Sequence, residues 1–227
     1  MKQQNAFLFD LNGTMIDDMR FHIKAWSHIL NNDLGAGLTE DEVKVQMYGK
    51  NEEVLVRLFG EGKYTPDEMR EISLEKERRY QKEYLPHLQL IKGLGSFLQQ
   101  AFDARVPMAI GSAAITFNIN FVLDNLQLRK YFPVVVSADD VAVSKPNPEV
   151  FLKAASLLQV KPEQCIVFED APKGVESAFN AGMKAIVITT LHHPEEFSRY
   201  SNVLAFVEDY TNPVLQDFLI SDNTPGA

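Results

Sequence analysis

The sequence predicts an α/β fold, a parallel sheet covered by helices on both faces, with a helical insert after the first strand. Three observations predict it. From about Leu88 onward, short continuous apolar runs alternate with helical patterns, and such runs suit strands buried on both faces. One run of the same kind, Phe7-Leu8-Phe9, stands far upstream. Between them, from about Asp17 to Tyr84, the chain is charged and helical, and strand-like runs disappear. The expected division is residues 1–16 with 88–227 as the core, and 17–87 as an inserted helical domain.

The elements follow in order. Within the insert, Thr39-Glu40-Asp41-Glu42 and Thr65-Pro66-Asp67-Glu68 both fit a capping box, the second with proline at the first helical position. The second of these helices is expected to reach Tyr84, with Met69, Ile72, Tyr80 and Tyr84 sharing a face, before Pro86 stops it. Beyond the insert come a helix around Leu94 to Ala101, a strand Val106 to Gly111, a helix around Phe117 to Leu126 and a strand Pro133 to Val136. Then Pro148 to Leu158 reads as a helix, Cys165 to Phe168 as a strand, Pro172 to Asn180 as a helix, and Ala185 to Ile188 as a strand. Ser221 to Ala227 reads as a loose tail.

Composition narrows the function. With 227 residues, 45% hydrophobic and 23% charged, the chain suits a core domain with a smaller insert. No apolar run approaches the roughly 20 residues of a membrane span, and Met1 to Asn5 lead straight into the first strand, so a cytoplasmic location without membrane association is expected. The net charge of -9 disfavours nucleic acid, which needs clustered Lys and Arg. The single cysteine, Cys165, lies in an apolar run and reads as a small buried hydrophobe. A monomer or weak dimer is expected.

Four places carry chemistry, each where a predicted strand ends or a proline-bounded helix begins. Ligands in open α/β sheets bind beyond the carboxyl ends of the strands. Asp10 follows the first strand and opens the turn Leu11-Asn12-Gly13-Thr14; such a carboxylate can attack phosphorus, or simply stabilise a turn. Ser112 follows Met108-Ala109-Ile110-Gly111 and suits either a phosphate-holding hydroxyl or a helix cap. Lys145, in Ser144-Lys145-Pro146-Asn147-Pro148, is a cation in a stiffened loop. Glu169-Asp170 pairs two acids after Phe168, which with Asp10 offers the oxygen ligands that Mg²⁺ requires.

Taken in order, these features resemble the four motifs of the haloacid dehalogenase superfamily of phosphoryl-transfer enzymes, whose first motif reads Asp-x-Asp-Gly-Thr. The chain is most similar to the β-phosphoglucomutase and small-sugar-phosphatase branch, through Phe21-His22-Ile23-Lys24-Ala25-Trp26 and Ser144-Lys145-Pro146-Asn147-Pro148. The resemblance implies a Rossmann-like core with a helical cap, and a small phosphorylated substrate. It makes Asp10 the nucleophile and assigns Mg²⁺ to the Asp10 carboxylate, the Asn12 backbone carbonyl and Asp170, with Glu169 in support. It gives the phosphoryl oxygens to Ser112, Lys145 and the backbone N–H groups of Leu11, Asn12 and Ala113. From the cap it brings His22 and Trp26 toward the nucleophile, although this pair, one helical turn apart, equally suits packing within the cap itself; it also likens Met47-Tyr48-Gly49-Lys50-Asn51 to a substrate-specificity loop, with Gly49 allowing close backbone approach and Lys50 beside it.

The chain departs from the family at three positions. Asn12 replaces the second aspartate, which protonates the leaving group and then activates the attacking water or hydroxyl; an amide can do neither. Since general acid–base catalysis is worth about 10²–10⁴-fold, slow turnover is expected, least so for acyl phosphates and other good leaving groups. Glu52 stands where the mutase has an arginine for a second phosphate, and Ile115 where it has a lysine. The reading is therefore a Mg²⁺-dependent phosphatase or phosphomutase-like enzyme of reduced or restricted activity. The alternatives are a catalytically weak phospho-ligand sensor, or a phosphonate hydrolase using Lys50. Asn12-Gly13 is also a dipeptide prone to deamidation, which would restore an acid in a fraction of molecules.

Overall fold

A computed structural model describes residues 5–219; the expected tail from Ser221 lies outside the described residues. The chain divides into two compact units, one built from the residues up to Asp17 and from Gln89 onward, the other from Asp18–Leu88.

Among the described residues the first unit holds six parallel strands: β1 Ala6–Phe9, β2 Met108–Gly111, β3 Val134–Val136, β4 Cys165–Glu169, β5 Lys184–Ile188 and β6 Val203–Val207. Their order across the sheet is β3-β2-β1-β4-β5-β6. Strand order therefore reverses between β1 and β4, the switch point at which open α/β sheets form their ligand crevice. Successive side chains of a strand face opposite sides, and β1 is buried on both. On one face Ala6 and Leu8 join Val150, Phe151, Ala154, Val175 and Ala178, which belong to the helices Glu149–Leu157 and Pro172–Asn180. On the other face Phe7 stacks on Phe97 at 5.7 Å and Phe9 on Phe168 at 4.6 Å. Phe97 comes from the helix Leu94–Asp103, whose buried Leu94, Phe97, Leu98 and Ala101 keep the spacing of an amphipathic stripe.

The second unit packs four α-helices, Met19–Ser27, Glu40–Gln46, Asn51–Phe59 and Pro66–Tyr84, with a π-helical turn at His28–Asp33. Both capping boxes form, Thr39 with Glu42 and Thr65 with Glu68. Trp26, Ile29, Leu30, Val43, Val54 and Leu55 make its core.

Several boundaries differ from the sequence expectation by a residue or two, and two strand starts do so for a physical reason. The strands expected from Val106 and Pro133 begin at Met108 and Val134, because Pro107 and Pro133 lack the N–H that a ladder needs and the Val106 N–H closes the preceding turn onto the Ala101 carbonyl. The acid Glu169 ends β4 instead of following it. Strand β6, Val203–Val207, was not anticipated; it is an edge strand whose Leu204 and Phe206 stay exposed, so it lacks the continuous burial that marks the others. No helix among the described residues is long and apolar enough to cross a membrane.

Candidate active site

The carboxyl ends of β1 and β4, adjacent at the switch point, deliver the acids. Asp10 follows β1, and its N–H donates to the Phe168 carbonyl at 3.0 Å, so the main-chain ladder itself fixes the position of its side chain. The Lys145 ammonium donates to Asp10 Oδ1 at 2.7 Å and to Glu169 Oε1 at 2.9 Å, with all three side chains at 8% exposure or less. Glu169 Oε2 in turn accepts the N–H groups of Asp170 and Ala171 at 2.8 and 2.7 Å. Asp170 accepts a hydrogen bond from the Thr14 hydroxyl at 3.2 Å. Ser112 is buried at the end of β2, where its N–H donates to the Val136 carbonyl and its side chain hydrogen-bonds Asp10. Its Oγ also accepts the Ala114 N–H at 3.2 Å, leading the chain past Ala113.

The turn after Asp10 is held from several directions. Gly13 sits at φ +75°, and a Cβ there would lie 2.1 Å from Asp170 Oδ2, so only glycine lets the acid approach. The Gly13 N–H donates to the Ile16 carbonyl at 2.8 Å. Succinimide formation, the route of Asn-Gly deamidation, needs that nitrogen as a nucleophile; engaged in this bond, it is protected. Peptide mapping of freshly folded protein is therefore expected to find Asn12 intact, with mass gain appearing only after unfolding. Two further side chains grip the turn through carbonyls. Thr190 donates to Gly13 O at 2.6 Å, and the buried Tyr210 hydroxyl donates to Thr14 O at 3.0 Å. Removing that hydroxyl in Tyr210→Phe strands a buried acceptor, which typically costs about 1–3 kcal/mol; denaturant unfolding should show a lower midpoint with an unchanged slope.

Ligand atoms of Asp10, Glu169 and Asp170 all lie within 4.8 Å of one another. The charges explain their state. Burial raises the Asp10 pKa to about 6, Glu169 adds to the rise, and Lys145 opposes it. Asp170 is pushed well above the ordinary range, first by burial and then by Glu169 and Asp10. Burial tends to strip the Lys145 proton, but Asp10 and Glu169 outweigh it and hold the ammonium charged. Three acids against one ammonium leave a buried excess of negative charge. A hard divalent cation with oxygen ligands offsets such an excess, so the donor set fits Mg²⁺.

A protein-family model described as Haloacid dehalogenase-like hydrolase matches residues 7–188. The chain belongs to that family. Among relatives of this haloacid dehalogenase-like chain, β-phosphoglucomutase of Bacillus subtilis is 31% identical over 80% of this chain and 81% of the relative. Fructose-1-phosphate phosphatase YqaB of Escherichia coli is 31% identical over 82% of this chain and 97% of its own. The crystal structure of β-phosphoglucomutase from Clostridium difficile superposes with a TM-score of 0.80 at 24% identity, covering 95% of this chain and 97% of that one. Its likeness shows the same fold. With such relatives, this haloacid dehalogenase-like chain is a phosphohydrolase of the β-phosphoglucomutase-like kind.

The remaining candidates lie in the second unit. His22 and Trp26 share the helix Met19–Ser27 and are both buried, Trp26 in that unit's apolar core. The His22 ring stacks on Tyr80 at 3.8 Å, with Nδ1 2.7 Å from the Lys76 ammonium and Nε2 3.3 Å from Asp18 Oδ2. Lys76 also donates to both Glu77 oxygens at 2.9 and 3.0 Å; burial lowers its pKa, against Glu77 and Asp18. The sequence reading missed this network. Its signal was present, since Ser73, Lys76, Glu77, Tyr80 and Tyr84 recur at the spacing of a buried helix face, with ionisable residues inside it. The loop 47–50 joins two helices; Gly49 adopts φ +81° and Lys50 caps the second of them. Arg57, also missed, clasps this loop, donating to the Gln46 and Tyr48 carbonyls at 2.6 and 3.1 Å and lying over the Tyr48 ring.

Proposed function

We propose that the chain transfers the phosphoryl group of a small phosphorylated sugar through an aspartyl-phosphate on Asp10, as a Mg²⁺-dependent phosphatase or phosphomutase-like enzyme. The observation that carries this reading is the buried Lys145–Asp10–Glu169 ion triad beside Asp170, at the switch point between β1 and β4. The Asp10 carboxylate attacks phosphorus, and the sugar oxygen leaves from the opposite side. Lys145 and Ser112, with the N–H groups of Leu11, Asn12 and Ala113, receive the phosphoryl oxygens, where fixed donors stabilise the transition state most. Asp10, Asp170 and the Asn12 carbonyl would hold Mg²⁺, with Glu169 positioning Lys145 and its own turn. Bound there, the ion neutralises charge on the phosphoryl oxygens. The Asp18–Leu88 unit serves as the cap, its Gly49-Lys50 loop selecting the sugar and its buried His22 and Trp26 shaping the cap from within.

The reading is tested by phosphate release from a panel of sugar phosphates with Mg²⁺. Slow release is expected, absent in Asp10→Asn and with chelator present. Release that survives Asp10→Asn would contradict it.

The charge balance gives a second test. A carboxyl whose pKa is higher in the fold than in the unfolded chain stabilises the fold while protonated, and that contribution is lost as pH rises through the folded value. For Asp10 the window runs from the ordinary 3.8 to about 6. Metal and protons compete for the same oxygens. Thermal denaturation should therefore show a larger Mg²⁺-induced rise in Tm at pH 7.5 than at pH 5. An equal rise at both would mean the ion binds elsewhere.

A further inference from the structure

We infer that Asn12 makes Asp10 a site that charges from acyl phosphates and then retains the phosphoryl group, so that the aspartyl-phosphate is a persistent product. The inference rests on the proposed function and narrows its donor class. When Asp10 attacks a sugar phosphate, the P–O bond to the sugar breaks and its electron pair leaves on an alkoxide, which needs a proton. Asn12 can donate a hydrogen bond but has no proton to surrender. The ionisable groups hydrogen-bonded into the turn are already committed. Lys145 bridges Asp10 and Glu169, Glu169 also accepts two main-chain N–H groups, Asp170 accepts the Thr14 hydroxyl, and Tyr210 donates to the Thr14 carbonyl.

An acyl phosphate removes the need for an acid. As Asp10 forms its bond to phosphorus, the P–O bond to the acyl oxygen breaks and the pair departs on a resonance-stabilised carboxylate, with no proton required. The second half-reaction has no such escape. Water attacking the aspartyl-phosphate forms a new P–O bond, Asp10 leaves as carboxylate, and the proton of the water must pass to a base. Asn12 cannot take it, so discharge slows by the general-base factor, about 10²–10⁴-fold. Charging is fast relative to discharge, and phosphoenzyme accumulates.

The test incubates the full-length protein and Mg²⁺ with acetyl phosphate or, separately, with glucose 1-phosphate, removes the donor, and follows intact mass over time. Asn12→Asp and Asp10→Asn are run alongside, and peptide mapping verifies asparagine at position 12 and locates the adduct. The unmodified chain should gain one phosphoryl group on Asp10 from acetyl phosphate, gain none from glucose 1-phosphate, and keep it about a hundredfold longer than Asn12→Asp. Asp10→Asn should gain none. If Asn12→Asp releases phosphate from either donor while the unmodified chain forms no adduct, or loses it equally fast, the inference is overturned and the proposed function stands. Rapid turnover of glucose 1-phosphate by a verified Asn12 chain would also overturn it, since an acid must then come from elsewhere. Should neither protein take phosphate from either donor, the proposed function fails with it.

Discussion

Asn12→Asp is expected to raise kcat on sugar phosphates by about 10²–10⁴-fold, equivalent to lowering the barrier by roughly 3–5 kcal/mol. On the proposed mechanism the ammonium 2.7 Å from Asp10, the Ser112 hydroxyl and the neighbouring acids within 4.8 Å serve the reaction as they stand. What that mechanism lacks is a group able to exchange a proton with the leaving oxygen and with water. Since the same substitution leaves the phosphoryl-holding groups untouched, KM should change far less than kcat. A fourth carboxylate beside a cluster already in negative excess should also lower Tm in metal-free protein, and Mg²⁺ should restore it. Steady-state kinetics on paired preparations decide the matter. A gain below tenfold would show that position 12 is not where the proton transfer is lost.

Lys145→Met should remove turnover and destabilise the metal-free fold together. Methionine keeps the length of the stem but removes the ammonium that is bonded to both Asp10 and Glu169. Breaking a buried ion pair from one side typically costs about 3–5 kcal/mol, because the remaining charge is left uncompensated. Catalysis loses a donor aimed at the charge that develops on phosphorus, worth about 10²–10³-fold. The stability loss carries its own signature. Lys145 holds the Asp10 pKa down against burial, so without it Asp10 titrates higher still. The variant should therefore recover stability as pH falls from alkaline values toward 6, where Asp10 takes a proton and the repulsion with Glu169 ends. Urea midpoints measured across that range should converge on the unmodified protein from below. A destabilisation equal at every pH would mean the ammonium contributes packing, with little charge compensation.

Much of this was readable before any coordinates, because the chemistry sits where local sequence patterns change. Asp10 breaks an apolar run, Ser112 follows another, Lys145 precedes two prolines, and Glu169-Asp170 ends the run that becomes β4; each boundary is a local signal. What holds those residues in place is long-range. Thr190 and Tyr210 reach carbonyls of residues 177 and 196 positions away in the chain, and nothing in their own neighbourhoods distinguishes them from ordinary loop residues. Lys76 and Glu77 are the intermediate case, since their helix-face spacing marks burial but their partners, His22 and Asp18, lie more than fifty positions upstream. The edge strand β6 escaped because its half-exposed pattern lacks the uninterrupted burial that identified the others. The state of the acids is likewise a property of the assembled site: Asp10 and Asp170 carry raised pKa values because the fold buries them and then sets them beside Glu169 and each other.

The most direct measurement is a crystal structure of the protein grown with Mg²⁺ and fluoroberyllate, a mimic of the phosphoryl group on a carboxylate. Fluoroberyllate bonded to Asp10, its fluorines facing Lys145 and Ser112, with Mg²⁺ shared between Asp10 and Asp170, is the expected result. Mg²⁺ and fluoroberyllate bound away from Asp10, with the Lys145–Asp10–Glu169 triad left as it stands, would contradict phosphoryl transfer at this site.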